Sequence, residues 1–166
     1  MKTTNSETET ITVVRMKLTD DVSQNLVRAL NEELTRMYPE PGANHFELGS
    51  EETARGRGAF LVLYRNQIAV GCGAIRLLDA QTGELKRMYV APGERGKGLG
   101  RRLVLELEAE ARSLGVQRLV LETGTRQLAA LALYRAVGFH PVPLYGEYLR
   151  SPDTSLCMGK ELPAVS

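Results

Sequence analysis

The sequence predicts a mixed α/β fold, a largely antiparallel sheet of six to seven strands with helices on both faces, and three features carry that prediction. Short β-branched or alternating apolar runs separated by turn residues recur between residues 11 and 90. Helical patterns with an apolar residue at every third or fourth place flank them. The last of the early runs then leads through a glycine-rich loop into a helix and a further strand. A meander that feeds such a helical crossover sets parallel strands into the same sheet and leaves helices packed on either side.

Residues 1–9 are polar and are expected to be disordered, with one domain over 10–162. The β-branched run 11–16 is the first strand. Asp20 or Asp21 can cap the next helix, whose apolar face is Val22, Leu26, Leu30, Leu34 and Met37 until Pro39 stops it. Residues 38–45, with Pro39, Pro41 and Gly42, form a loop, and 50–58 is weakly helical. Residues 60–64 and 68–78 pair about the turn Arg65-Asn66-Gln67. Residues 79–83 turn again, and 84–90 is the third strand of the meander, closed by Pro92 and Gly93. Leu99, Leu103, Leu107, Ala111 and Leu114 share one face of a helix that Gly115 ends, and 118–122 is the strand after it. Residues 127–137 are an alanine- and leucine-rich helix ended by Gly138, and the final region contains a strand-like run at 154–158.

With 166 residues, 43% hydrophobic and 25% charged, the composition is that of a globular chain long enough to bury a core. A net charge of +1 argues against a surface built for nucleic acid, and no apolar run is long enough to cross a bilayer. Cys72 and Cys157 lack metal-type spacing, so free thiols in a reducing, cytoplasmic setting are expected, with no metal.

Arg95-Gly96-Lys97-Gly98-Leu99-Gly100 stands between a strand and a helix, with Arg101 and Arg102 next to it. Glycines let backbone N–H groups close on a ligand, and the helix directs its positive end to the same place, so the segment reads as a cradle for phosphate. It carries neither the Walker G-x-x-x-x-G-K-[ST] pattern nor the G-x-G-x-x-G of dinucleotide folds, because Arg101 takes the last glycine's place.

Arg95, Gly98 and Gly100 fit [QR]-x-x-G-x-[GA], and with the strand 84–90, Glu122-Thr123, the run Ala130-Leu131-Ala132-Leu133-Tyr134 and Gly138-Phe139, the chain resembles the GNAT superfamily of acyl-CoA N-acyltransferases. The resemblance covers roughly the C-terminal two-thirds of the chain and implies the GNAT fold. It implies acetyl-CoA as donor, with the diphosphate on backbone N–H groups of Arg95, Gly96, Lys97, Gly98, Leu99, Gly100 and Arg101. The pantetheine arm would lie beside Met88, Tyr89 and Val90, where the strand splays from its neighbour, with Gln127 and Tyr134 also at the cofactor.

By the same resemblance, Glu84, eleven positions before Arg95, is the leading general base for a primary amine, and Glu122 is the rival; the plainer alternative for Glu84 is an ion pair with Lys86 or a nearby arginine at the strand start. Tyr134 is the general acid for the departing thiolate. Tyr38 and His45 belong to the acceptor side with Glu122, while Lys86, on the same strand face as Glu84, can hold an acceptor carboxylate. The loop 145–152 is placed to select substrates. The reading is an N-acetyltransferase acting on the amine of a small metabolite such as an amino acid, by direct attack. A protein or peptide amine and a non-catalytic acyl-CoA sensor are the alternatives. The acceptor, the acyl length, and the choice between monomer and homodimer stay open.

Overall fold

The computed structural model describes residues 9–40 and 47–163. Residues 1–8 of the stretch expected to be disordered, and His45, lie outside the described residues. One seven-stranded sheet runs in the order β1-β2-β3-β4-β5-β7-β6. Its first four strands are the antiparallel meander β1 (Ile11–Met16), β2 (Gly58–Arg65), β3 (Ile68–Leu77) and β4 (Thr82–Val90). β4 is followed by α2 (Leu99–Ser113) and then β5 (Arg118–Gly124), which pairs parallel to β4. The chain closes through α3 (Leu128–Ala136), β6 (His140–Val142) and β7 (Ser155–Glu161), and β7 sits antiparallel between β5 and β6.

The amphipathic faces explain the layers. Helix α1 (Asp21–Met37) buries Leu26 against Phe60, Val62, Cys72 and Ala74 on one side of the sheet. α2 buries Val104, Leu107 and Ala111 against Ala59, Leu61, Ile75, Leu85, Leu119 and Leu121 on the other, where α3 adds Leu131 and Tyr134. Each such aliphatic side chain removed from water contributes roughly 1.5–3 kcal/mol. The buried Glu108 of α2 receives the Lys160 ammonium from β7 at 2.6 Å, and that ammonium also donates to the Val137 carbonyl at the end of α3.

The meander follows its turn chemistry. Asn66 and Gln67 both take positive φ, 50° and 68°, as a two-residue hairpin loop between right-twisted strands requires. Departures from the sequence reading are local. β4 starts at Thr82 inside the expected turn, β6 was too short to show a period, and residues 50–58 contribute a 3-10 turn at Ser50–Thr53 before β2 begins at Gly58. No helix among the described residues is long and apolar enough to cross a membrane.

Candidate active site

The site is made by two adjacent strands that part. β4 and β5 pair only from Thr82↔Arg118 to Leu85↔Leu121. Beyond that point β4 stays with β3 as far as Val90↔Gly71, and β5 stays with β7 as far as Gly124↔Ser155. A wedge therefore opens between Lys86–Val90 and Glu122–Gly124, where main-chain groups on facing edges have lost each other.

On one side of the wedge lies a groove of about 570 Å³. Its floor is Met88, Tyr89 and Val90, one wall is apolar with Ala129, Ala130 and Leu133 of α3, and its end is the start of α2. Gly98 is the N-cap of α2 at φ 81°, and no side chain caps that end among the described residues. The first turn's N–H groups precede the first intrahelical bond, from the Arg102 N–H to the Gly98 carbonyl, so they face outward. Gly96 also has positive φ, 79°, and a side chain at either glycine would hold the loop in a conformation L-residues disfavour. Gly100 is packed tightly as well, since a Cβ there would lie 2.9 Å from Leu133 Cδ2.

Two forked ion pairs tie α1 and the residues just after it to the groove's lips. Arg95 donates to both oxygens of Glu33 at 2.7 and 2.8 Å. Arg126 donates to Glu40 at 2.6 and 3.1 Å, and its guanidinium lies 4.8 Å from the centre of the Tyr38 ring. The Tyr38 hydroxyl accepts the Arg126 backbone N–H at 2.8 Å.

On the other side a small cavity of about 80 Å³ is bounded by Tyr38, Lys86, Arg87, Glu122 and Tyr148. It meets the groove at Leu30, Met88, Gln127 and Tyr134, which border both. Burial pushes the carboxyl of Glu122 up to about 7, with the charge of Glu84 adding to the rise. The buried Ser155 hydroxyl lies beside that carboxyl without a regular hydrogen bond and offsets only part of the effect. Burial likewise holds the Tyr134 phenol well above its ordinary value, and the neighbouring Glu122 adds to this, so its proton is retained at neutral pH.

Glu84 lies where the ion-pair alternative put it, beside an arginine and Lys86. It is 0% exposed and borders neither cavity. One oxygen takes the Arg76 Nε–H at 2.8 Å and the other takes the Tyr145 hydroxyl. Burial and then the charge of Glu84 hold the Tyr148 phenol well above its ordinary value. Arg76 in turn reaches Glu52 at 2.7 Å. Glu84 is thus the hub of a buried polar network beneath the loop 145–152. Lys86 Nζ, 4.0 Å from Glu84, donates to the Glu47 carbonyl at 2.8 Å and to Glu147 at 3.4 Å.

Of the residues singled out in the sequence, Tyr38, Lys86, Met88, Glu122, Gln127 and Tyr134 converge on the wedge. Tyr89, Val90, Arg95, Gly96, Gly98, Leu99, Gly100 and Arg101 border the groove. Lys97 does not; its ammonium turns out to Glu94 at 3.4 Å. Sequence reasoning missed Arg76, Arg87 and Ser155, each on a strand where nothing local marks it. Arg126 and Glu33 were legible only as charges on opposite elements.

The model of the Acetyltransferase (GNAT) family matches residues 24–139. An "IAA acetyltransferase" of Azospirillum brasilense is 40% identical over 154 residues, which cover 92% of this chain and 98% of the relative. A crystal structure from Klebsiella pneumoniae, described as an acyl-CoA N-acyltransferase, superposes with a TM-score of 0.77 at 33% identity, covering 92% of this chain and 97% of that one. A GNAT family acetyltransferase from Elizabethkingia anophelis with acetyl-CoA bound shares the fold with a TM-score of 0.66 at 19% identity, over 92% of this chain and 98% of its own.

Proposed function

The chain belongs to the acetyltransferase (GNAT) family, and on that premise we propose that it moves acetyl from acetyl-CoA to the primary amine of a small metabolite by direct attack, with Glu122 as base and Tyr134 as acid. The meeting of groove and cavity at the parted strands, with Met88 and Tyr134 bordering both, carries this reading.

The groove fits the donor. Its outward N–H groups at the start of α2 suit a diphosphate, and the β4 edge past Leu85 offers main-chain groups to an amide-bearing arm. When bound, acetyl-CoA supplies an acetyl group activated as a thioester. Leu99, Gly100 and Arg101 would hold the diphosphate, and Met88, Tyr89 and Val90 the arm.

An alkylammonium with a pKa near 10 must lose its proton before the nitrogen can attack. Glu122, with its carboxyl at about 7 and on the cavity wall, takes that proton; Glu84, with both oxygens engaged, holds the network in place. Tyr134 gives its own proton to the leaving sulfur. Direct attack also suits the cysteines, since burial pushes the Cys72 thiol up to about 12 and Cys157 up to about 11, leaving little thiolate at neutral pH.

Thiol release from acetyl-CoA across amino acids, polyamines, aminoglycosides, peptides and IAA, the last because of the relative's name, tests the proposal. Tyr134→Phe should lower kcat about 10²-fold and leave the KM for acetyl-CoA nearly unchanged. Gly98→Ala puts a Cβ where no protein atom lies within 4 Å, so it should cost the fold only about 1 kcal/mol while raising that KM about tenfold. Cofactor binding without thiol release for any acceptor would make the protein a sensor, and a preference for peptides would favour a protein substrate.

A further inference from the structure

We propose that Ser155 is a positioning residue for the base: its hydroxyl, unpartnered in the resting fold, donates to the Glu122 carboxylate once that group is charged and steadies it for the acceptor's proton. This rests on the reading of Glu122 as the base.

The first observation is an orphaned hydroxyl. Ser155 is 4% exposed, and its Oγ is the one buried side-chain nitrogen or oxygen without a hydrogen-bond partner among the described residues. A serine or threonine hydroxyl ordinarily turns to a nearby backbone carbonyl. The buried Ser23 and Thr53 do so, at 2.7 Å to Lys17 and 3.2 Å to Ser50. Ser155 does not, although the Ser151 carbonyl holds its backbone N–H at 2.9 Å and so fixes the start of β7. An unpartnered hydroxyl in the interior destabilises the fold, and alanine in its place would not. An acceptor that becomes strong only during the reaction accounts for it.

The second is register. β5 and β7 pair Glu122↔Cys157 and Gly124↔Ser155, so Glu122 and Ser155 are diagonal neighbours on one face of the sheet, within reach of a long side chain. Directly opposite Ser155 stands a glycine, and a Cβ there would overlap the Tyr38 hydroxyl. Gly124 thus lets Tyr38 close over this corner, which leaves the Ser155 hydroxyl shut off from bulk water with the Glu122 carboxyl beside it.

The third is charge. A hydrogen bond to an ionised acceptor is roughly twice as strong as one to a neutral acceptor, so Ser155 favours the charged form of Glu122. Burial opposes that form, as do Glu84 on β4 and Glu147 in the loop 145–152, while Lys86 on β4 supports it. Cys157 on β7, Tyr134 on α3 and Tyr148 in the loop also feel Glu122, and all three keep their protons at neutral pH. Ser155 is the uncharged donor in this set with no other bond to make.

The test has one readout without substrate and one with it, both on the full chain. The folded Glu122 carboxyl is raised, so stability falls as pH rises through its value, and removing a donor to the charged form deepens that fall. Ser155→Ala should therefore melt at or above wild type near pH 5, where the orphaned hydroxyl is simply gone, and about 2–5 °C below it near pH 9. In a Glu122→Gln background the same change should show no such reversal. With the amine that releases thiol fastest, the limb of the Ser155→Ala pH–rate profile should move to higher pH. At about pH 6 its kcat/KM should be about three- to tenfold below wild type, and the two should converge above about pH 9. Ser155→Thr keeps the hydroxyl and should restore the limb, even where its added methyl lowers Tm. An equal change in Tm at both pH values with the limb unmoved overturns the inference and leaves Glu122 as base. So does a loss confined to acceptor KM, since the hydroxyl would then touch the substrate itself. A limb that survives Glu122→Gln overturns the base reading and the inference with it.

Discussion

Glu122→Gln should lose kcat by about 10²–10⁴-fold, the range for removing a positioned general base, and should become more stable than wild type at alkaline pH. Both effects follow from one carboxyl. Wild-type kcat/KM should rise with pH and level off above about 7, as Glu122 loses its proton and becomes able to accept one. In the glutamine variant that limb vanishes, and the residual rate climbs toward the amine's own pKa of about 10.

Stability moves the other way. The folded carboxyl binds its proton more tightly than the unfolded one, with its value raised from 4.5 to about 7. Its contribution is therefore full below about 4.5 and is lost as pH rises through 7. Glutamine stays neutral and escapes that loss. Because the side chain is partly open to solvent, the gain at pH 8 is of order 1–2 kcal/mol, and it should fade as the pH approaches 4.5. Denaturant melts at two pH values, set beside a pH–rate profile, read both signs. A variant that kept wild-type kcat and its limb near 7 would place the base elsewhere.

How much of this was legible in the sequence depends on how local the physics is. The α2 cradle was legible because Gly96 and Gly98 announce a backbone conformation within a few residues of the helix they introduce. Tyr134 was legible because it follows on α3 from a recognisable motif. The wedge between β4 and β5 was expected only from the family resemblance, since it arises where a parallel pairing stops at Leu85, and nothing in either strand's own residues says where a partner will leave. Arg87 was hidden by alternation itself. Counting by twos assigns it to the core face, and the register shift opposite Gly73 reverses that. For Glu84 a nearby arginine was a foreseeable partner, and the tyrosine was not. Arg76 is eight residues away and Tyr145 sixty-one, so the two bonds that occupy its carboxylate come from the meander's geometry and from the final loop.

Those surroundings set the effect of Glu84→Gln, which should fall on stability far more than on chemistry. The amide keeps the shape but removes the charge that Arg76 and Lys86 share at a fully buried position. Arg76 keeps Glu52 and Lys86 keeps Glu147, so the loss stays below that of a wholly uncompensated buried charge and is about 2–3 kcal/mol. For a chain of this length that is a fall in Tm of roughly 5–10 °C. Tyr148, which feels the charge of Glu84 and borders the cavity, carries some of the disturbance to the acceptor, so KM for the amine should rise. The limb of the pH–rate profile should persist but move to lower pH, because it belongs to Glu122 and the charge of Glu84 no longer adds to its rise. A double-mutant cycle separates charge from shape: Glu84→Leu with Arg76→Leu should lose less stability than Glu84→Leu alone, since the pair then leaves together. The opposite pattern for Glu84→Gln, an unchanged Tm with the limb near 7 gone, would return the base to Glu84 and reduce Glu122 to a wall of the cavity.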